Sequence, residues 1–336
     1  MKKVFMATIC LSLFAISLSL VQISCSKKGS DQKSAADDVD IYISGSHWLP
    51  DTPGPTVSYW KNDEAPTNLF TPLVLKGAGA ADMEVYNGDV YVTGGIQGVA
   101  QVWKNGQRTA LAPGDIYSWS SDLAISNGDV YISGTQVTNA FTKFGYWKNN
   151  EFKELARYSK LDRLYGYCTA IAVQGSDVHA LAYWGDYTLY WKNGVLDTFA
   201  HNLSPEATAI KLDGDDVYIS GSLNGYPAYW KNGEPTVVSN VQGAISDIVI
   251  KDGDIHLVGN ESNFATYWKN GVKTVLDNGH ANELAVNGSD VYVTGFWRRG
   301  RGELAVYWKN GERHYLIPLT DRQGTETANG IVIVPR

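Results

Sequence analysis

The chain has 336 residues, of which 44% are hydrophobic and 12% aromatic, with 34 Gly, 11 Trp, 3 Cys and a formal charge of −7. Aromatic content this high beside only 19% charged residues excludes an intrinsically disordered chain. Three Cys exclude a disulfide scaffold, and the acidic balance argues against a nucleic-acid partner.

At the N-terminus, Lys2 and Lys3 precede an apolar run from Val4 to Val21, followed by Gln22, Ile23, Ser24 and Cys25. A charged start, an apolar stretch and small residues at the cleavage point read as a secretory signal over residues 1–25. An apolar run of about 18 residues could also just span a bilayer. Cys25, with Ser24 before it and a polar segment after it, decides for the signal. The arrangement resembles a bacterial lipoprotein signal, in which the Cys becomes the lipid-bearing N-terminal residue. Gln22 departs from the aliphatic residue usual three positions before that Cys, and ordinary cleavage near Ser24 is the alternative. The resemblance implies a membrane attachment through Cys25 and a place in the bacterial cell envelope as an outer-membrane lipoprotein, facing the periplasm or the outside. Residues 26–37 are polar and read as a flexible tether. Without the signal the charge is −9, and Cys168 stands as a lone structural thiol.

From residue 38 onward one unit recurs. Trp-Lys-Asn occurs at Trp60, Trp103, Trp147, Trp191, Trp230, Trp268 and Trp308, preceded by Tyr in six copies and followed by Gly in five. Upstream of each lies an Asp followed by alternating apolar and polar residues, beginning at Asp40, Asp89, Asp129, Asp177, Asp216, Asp254 and Asp290. A short apolar run precedes each of these segments where the chain allows, and another follows each Trp-Lys-Asn turn. Four short strands with tight turns, repeated about every 41 residues, are the signature of a β-propeller blade. The folded region opens on a second strand, Asp40 to Gly45, and ends on a first strand, Gly330 to Val334. The expected architecture is therefore all-β: a seven-bladed propeller of four-stranded antiparallel blades over 38–336, its ring closed by the C-terminal strand joining the N-terminal blade. The Tyr-Trp-Lys-Asn-Gly turns resemble those of propeller lipoproteins of Bacteroidetes, a resemblance that implies fold and envelope location far more than activity.

The repeated Trp are expected to wedge between blades. The repeated Lys close strand three and the repeated Asp open strand two, at the same end of the sheet, so cross-strand pairing is expected rather than an anion-binding ring of Lys. His179 and His256 replace the Tyr of strand two and are expected to pack.

Four Trp remain outside the repeat, and with them the candidate ligand-binding residues on the face opposite the tight turns: Trp48, Trp119, Tyr165, Tyr167, Trp184, Tyr187, Trp297, Arg298 and Arg299. Exposed rings on a loop-built face suit a glycan, whose C–H faces stack on them, and a protein partner is the other candidate. The competing reading is that these rings only pack down their own loops. The Arg group fits acidic sugars or carboxylates. A glycan-active enzyme, a glycoside hydrolase or lyase type, is the alternative function, drawing on Asp51, Asp115, Asp162, Asp186, Glu206, Glu261, Glu303 and Asp321. No catalytic set stands out. No His pair has metal-ligand spacing, so no metal site or cofactor is assigned.

Overall fold

A computed structural model describes residues 39–336 apart from 50, 63, 74–76, 115–116, 160–164, 186, 198–206 and 318–324. The signal with Cys25 and the tether lie outside the described residues, as do Asp115, Asp162, Asp186, Glu206 and Asp321.

Alternating apolar residues broken by Asn-Gly turns fold into twenty-seven strands, with no helix among the described residues. The first three are β1 (Val39–His47), β2 (Thr56–Lys61) and β3 (Thr67–Phe70). Four antiparallel four-stranded sheets follow in chain order. They are β4 (Ala78–Tyr86), β5 (Asp89–Ile96), β6 (Val99–Lys104) and β7 (Gln107–Ala110); then β8 (Tyr117–Ser126), β9 (Asp129–Val137), β10 (Phe141–Lys148) and β11 (Glu151–Ser159). Next come β12 (Gly166–Gln174), β13 (Asp177–Trp184), β14 (Tyr187–Lys192) and β15 (Val195–Asp197), and β16 (Ala209–Asp213), β17 (Asp216–Leu223), β18 (Tyr226–Lys231) and β19 (Glu234–Val237). The remaining strands are β20 (Gly243–Lys251), β21 (Asp254–Glu261), β22 (Phe264–Lys269), β23 (Val272–Asn287), β24 (Asp290–Arg299), β25 (Gly302–Lys309), β26 (Glu312–Tyr315) and β27 (Thr327–Pro335). As the chain ends imply, β27 pairs with β1, giving the sheet order β27-β1-β2-β3.

The sheets are arranged as a propeller, with one departure from the expected count of separate blades. Five sheets have four strands, whereas β20 to β26 form one seven-stranded sheet. The cause is β23, whose sixteen residues stay extended where other units turn through a loop. Its first part pairs with β22 up to Asn278, and its second part pairs with β24 from Gly279.

The Trp-Lys-Asn motif does three separate jobs. Each of its seven Trp is at most 2% exposed and packs against strands of the repeat before it. Trp230 meets Leu181 and Tyr190 of β13 and β14, Trp147 meets Tyr91 and Val102 of β5 and β6, and Trp60 meets Tyr292 and Tyr307 of β24 and β25. Each Lys pairs with the Asp that opens strand two, at 2.6 Å for Lys231–Asp216 and 4.0 Å for Lys192–Asp177 at the extremes. Five of these ammonium groups also lie 5.0–5.3 Å from the centre of the Tyr ring directly across the sheet. Where that Tyr is His179 or His256, the imidazole is instead hydrogen-bonded at 2.7 Å to Tyr190 or Tyr267 and is buried, as expected for packing residues.

The Asn is a clip. In each motif its Oδ1 accepts the backbone N–H just after the Asp, and its Nδ2 donates to the Asp carboxylate; Asn105 does so at 2.8 Å from Val90 N and 2.7 Å to Asp89. Its backbone takes a left-handed turn, with φ 49° at Asn105. Asn105→Ala loses both bonds and strains that turn, so a cost of about 1–2 kcal/mol is expected by urea denaturation. Lys104→Ala removes a solvent-screened ion pair and the cation over Tyr91, and is expected to shift the urea midpoint less than Asn105→Ala does.

Candidate functional site

Six of the first strands carry a second repeated device that the sequence reading passed over. In β4, β8, β12, β20, β23 and β27 the pairing register slips at the same point, through Ala81, Ser121–Asp122, Thr169, Ser246, Asn282–Glu283 and Asn329–Gly330. The bulge drives a carbonyl toward strand two, which explains the Gly there. A Cβ on Gly94 would sit 2.1 Å from Gly79 O, and one on Gly295 would sit 1.9 Å from His280 O.

The bulged residues converge on a single cavity of about 250 Å³, lined from all seven first strands by Asp82, Asp122, Thr169, Lys211, Asp247 and Glu283 among others. Side chains at these positions lace six successive pairs of first strands together. Asn329 donates to Ala80 O at 2.7 Å, and Asp82 accepts Leu123 N–H at 2.8 Å. Ser121 donates to Cys168 O at 2.6 Å, and Asp122 accepts Ile171 N–H at 2.8 Å. Thr208 donates to Ile245 O at 2.6 Å, and Asp247 accepts Leu284 N–H at 3.1 Å. Asn282 donates to Ala328 O at 2.7 Å, and Glu283 accepts Ile331 N–H at 3.1 Å.

The electrostatics are those of crowded acids with one cation. Burial pushes the carboxyl groups of Asp82 and Glu283 well up, aided by the charges of Glu283 on Asp82 and of Asp247 on Glu283. Burial also raises Glu84, one turn of the pleat below Asp82, to about 7, and raises Asp247. Asp247, 3.8 Å from the ammonium, raises Lys211. A carboxylate held by a backbone N–H would ordinarily stay a strong acid. Here desolvation and like charges outweigh the bond and raise these groups above the ordinary carboxylate range. No group of residues suited to a metal ion exists among the described residues.

The sequence-selected residues separate into exposed and buried sets. Trp119, Tyr165, Tyr167 and Tyr187 are 47%, 85%, 46% and 59% exposed. Trp119 on β8 and Tyr167 on β12 occupy equivalent positions, each two residues before the bulge residue that lines the cavity. Tyr167 is braced edge-on by Tyr183, with ring centres 4.3 Å apart. Trp184 belongs to the core instead, 6% exposed and stacked on Tyr158 with centres 4.8 Å apart. Trp297 is covered by the Arg313 guanidinium, 4.0 Å from its ring centre. Trp48 is half-buried and donates its indole N–H to Thr325 O at 3.2 Å. Arg298 is bonded to Glu303 and Asn263 and lies over Phe296, while Arg299 is exposed. Of the loop carboxylates named above, Glu261 is paired with Lys273 and Glu303 with Arg298. Cys168 is fully buried, and burial pushes its thiol up to about 11, as fits a structural thiol.

The class these features define is a β-propeller. No protein-family model matches the chain, and no curated protein matches it. Among solved structures it is similar to TolB from Acinetobacter baumannii, at TM-score 0.48 and 11% identity over 88% of this chain and 67% of that one. It is also similar to a GH43 endo-arabinanase from Bacillus licheniformis, at TM-score 0.33 and 10% identity over 70% of this chain and 96% of that one. A third is Drosophila Semaphorin 1b, at TM-score 0.30 and 10% identity over 70% of this chain and 54% of that one. At these levels no function passes from any of the three to this chain.

Proposed function

We propose that the chain is a seven-bladed propeller lipoprotein of the bacterial envelope, anchored through Cys25, that binds a glycan at the mouth of its central cavity. Seven units follow from seven Trp-Lys-Asn motifs, each at the end of a third strand, with β23 serving as the last strand of one unit and the first of the next. Closure is supported by β27 pairing with β1 and by side-chain bonds linking β23 to β27 and β27 to β4.

The observation that carries the binding reading is the pair Trp119 and Tyr167, two exposed rings at equivalent positions on neighbouring first strands above a polar cavity. Rings so placed can stack a sugar while Ser, Thr, Asn and carboxyl groups below meet its hydroxyls. Binding is preferred to hydrolysis because Asp82, Asp122, Asp247 and Glu283 each already hold a neighbouring strand's N–H.

A glycan-array screen of the purified chain tests this. The parent is expected to bind, and Trp119→Ala and Tyr167→Ala are each expected to weaken binding by about tenfold, or about 1.4 kcal/mol. Arg299→Ala is expected to change nothing. No array binding by the parent, or binding indifferent to both aromatic changes, sinks the reading and leaves a protein partner as the candidate.

A further inference from the structure

The residues two positions before the cavity-lining bulges form a collar around the mouth. The described members are Gly79, Trp119, Tyr167, Ala244, His280 and Thr327. Gly79 and Ala244 leave space, Trp119 and Tyr167 offer rings, and His280 is turned aside by its bond to Asn282 at 3.0 Å and its stack on Phe296. None of these side chains is a permanent cation.

Below the collar the charge is one-sided. Asp82 lines the cavity from β4, Asp122 from β8, Asp247 from β20 and Glu283 from β23, against Lys211 from β16, with Glu84 two residues beyond Asp82 within electrostatic reach of Lys211 and Asp122; β12 and β27 contribute only the neutral Thr169 and Asn329. The Lys211 ammonium is already faced by Asp247. The Arg side chains that would recognise an acidic sugar are spent elsewhere in the same units, Arg298 on Glu303 and Arg313 on Asp277.

We infer that this mouth takes a glycan without acidic groups and turns away uronate, sialylated or sulfated chains. The inference rests on the glycan-binding reading above and adds the ligand's charge class. An anionic sugar seated on Trp119 and Tyr167 would lose water while facing acidic side chains, and the one cation among the described lining residues, Lys211, already faces Asp247, which is costly. A neutral sugar meets the opposite situation, since its hydroxyls donate to carboxyl, hydroxyl and amide oxygens that are rich in lone pairs. Of the two Arg residues that suggested an acidic ligand in the sequence, Arg298 is thus assigned to an intramolecular pair, and Arg299 lies on the exposed end of β24 and does not line the cavity.

The test is equilibrium binding of the full chain to neutral hexose oligosaccharides and to oligogalacturonate of matched length. Neutral chains are expected to bind at least tenfold more tightly at low salt, with the gap narrowing as salt screens the cavity. Lys211→Gln is expected to widen the gap. Glu84→Gln, which removes a charge without touching a strand-to-strand bond, is expected to narrow it. Oligogalacturonate binding as tightly as the neutral chains at low salt, or a gap unmoved by both variants, overturns the inference. Binding of neither kind overturns the glycan reading itself.

Discussion

Trp230→Ala is expected to lower the unfolding free energy by about 3–5 kcal/mol, a large share of what holds a domain together. The indole is fully buried and touches side chains of its own sheet and of the sheet before it, among them Leu181, Tyr190, Ile210 and Ile219. Removing it takes apolar contact from both sheets and leaves a cavity that two hydrogen-bonded sheets cannot close by local movement. Trp147→Ala is expected to cost at least as much, because its indole N–H also donates to Leu111 O at 3.0 Å and that carbonyl would lose its bond. Trp119→Ala supplies the contrast. Its ring is 47% exposed, and a change of no more than about 0.5 kcal/mol is expected. Urea denaturation followed by tryptophan fluorescence measures all three. Equal effects at Trp230 and Trp119 would refute the division of the tryptophans into packing and ligand-facing sets.

The packing half of that division was readable from the sequence because it rests on repetition. Seven equivalent Trp, Lys, Asn and Asp residues met seven equivalent environments, so one reading of the motif covered every unit. Where a residue lay outside the repeat, its surroundings came from partners far away in the chain. Trp184 lies against Phe144 and Tyr158 of the preceding sheet, and Trp297 lies under Arg313. Neither partner can be named by counting residues, so exposure could not be told from packing. The cavity was missed for another reason. Its acids stand in the first strands, where alternation marks them as ordinary polar positions, and only the bulge turns them inward. A signal existed in the aligned repeats: Asp82, Asp122, Asp247 and Glu283 each immediately precede the apolar residue that opens the second half of the first strand, and a small polar residue precedes three of the four. The extended Asp277–His280 run had no such mark, and so one sheet of seven strands stands where two of four were expected.

Stability is expected to fall on the alkaline side of neutrality, against the usual tolerance of folded domains there. Asp82, Glu84, Asp247 and Glu283 hold their protons more tightly folded than unfolded. Such groups contribute in full below the unfolded value, 4.5 for Glu84, and the contribution is lost as pH rises through the folded value, about 7 for that residue. Two sets act in the opposite sense. Asp89, Asp129, Asp216 and Asp254 are held down by their Lys partners, so their contribution is present above 3.8 and lost as pH falls. His179, His256 and His280 are lowered by burial, so theirs is present above 6.5 and lost below it. Above about pH 7.5 both opposing sets have reached their full contribution, while the cavity acids still titrate. A loss of stability is therefore expected between about pH 7.5 and about pH 9, read as a falling Tm by calorimetry. Glu84→Gln is expected to flatten this limb while leaving the acid limb in place, because Glu84 contributes a proton to the cavity but no bond between strands. A Tm that is level or rising across that interval would mean the cavity acids are already ionised at neutrality, held by the N–H bonds of the neighbouring first strands.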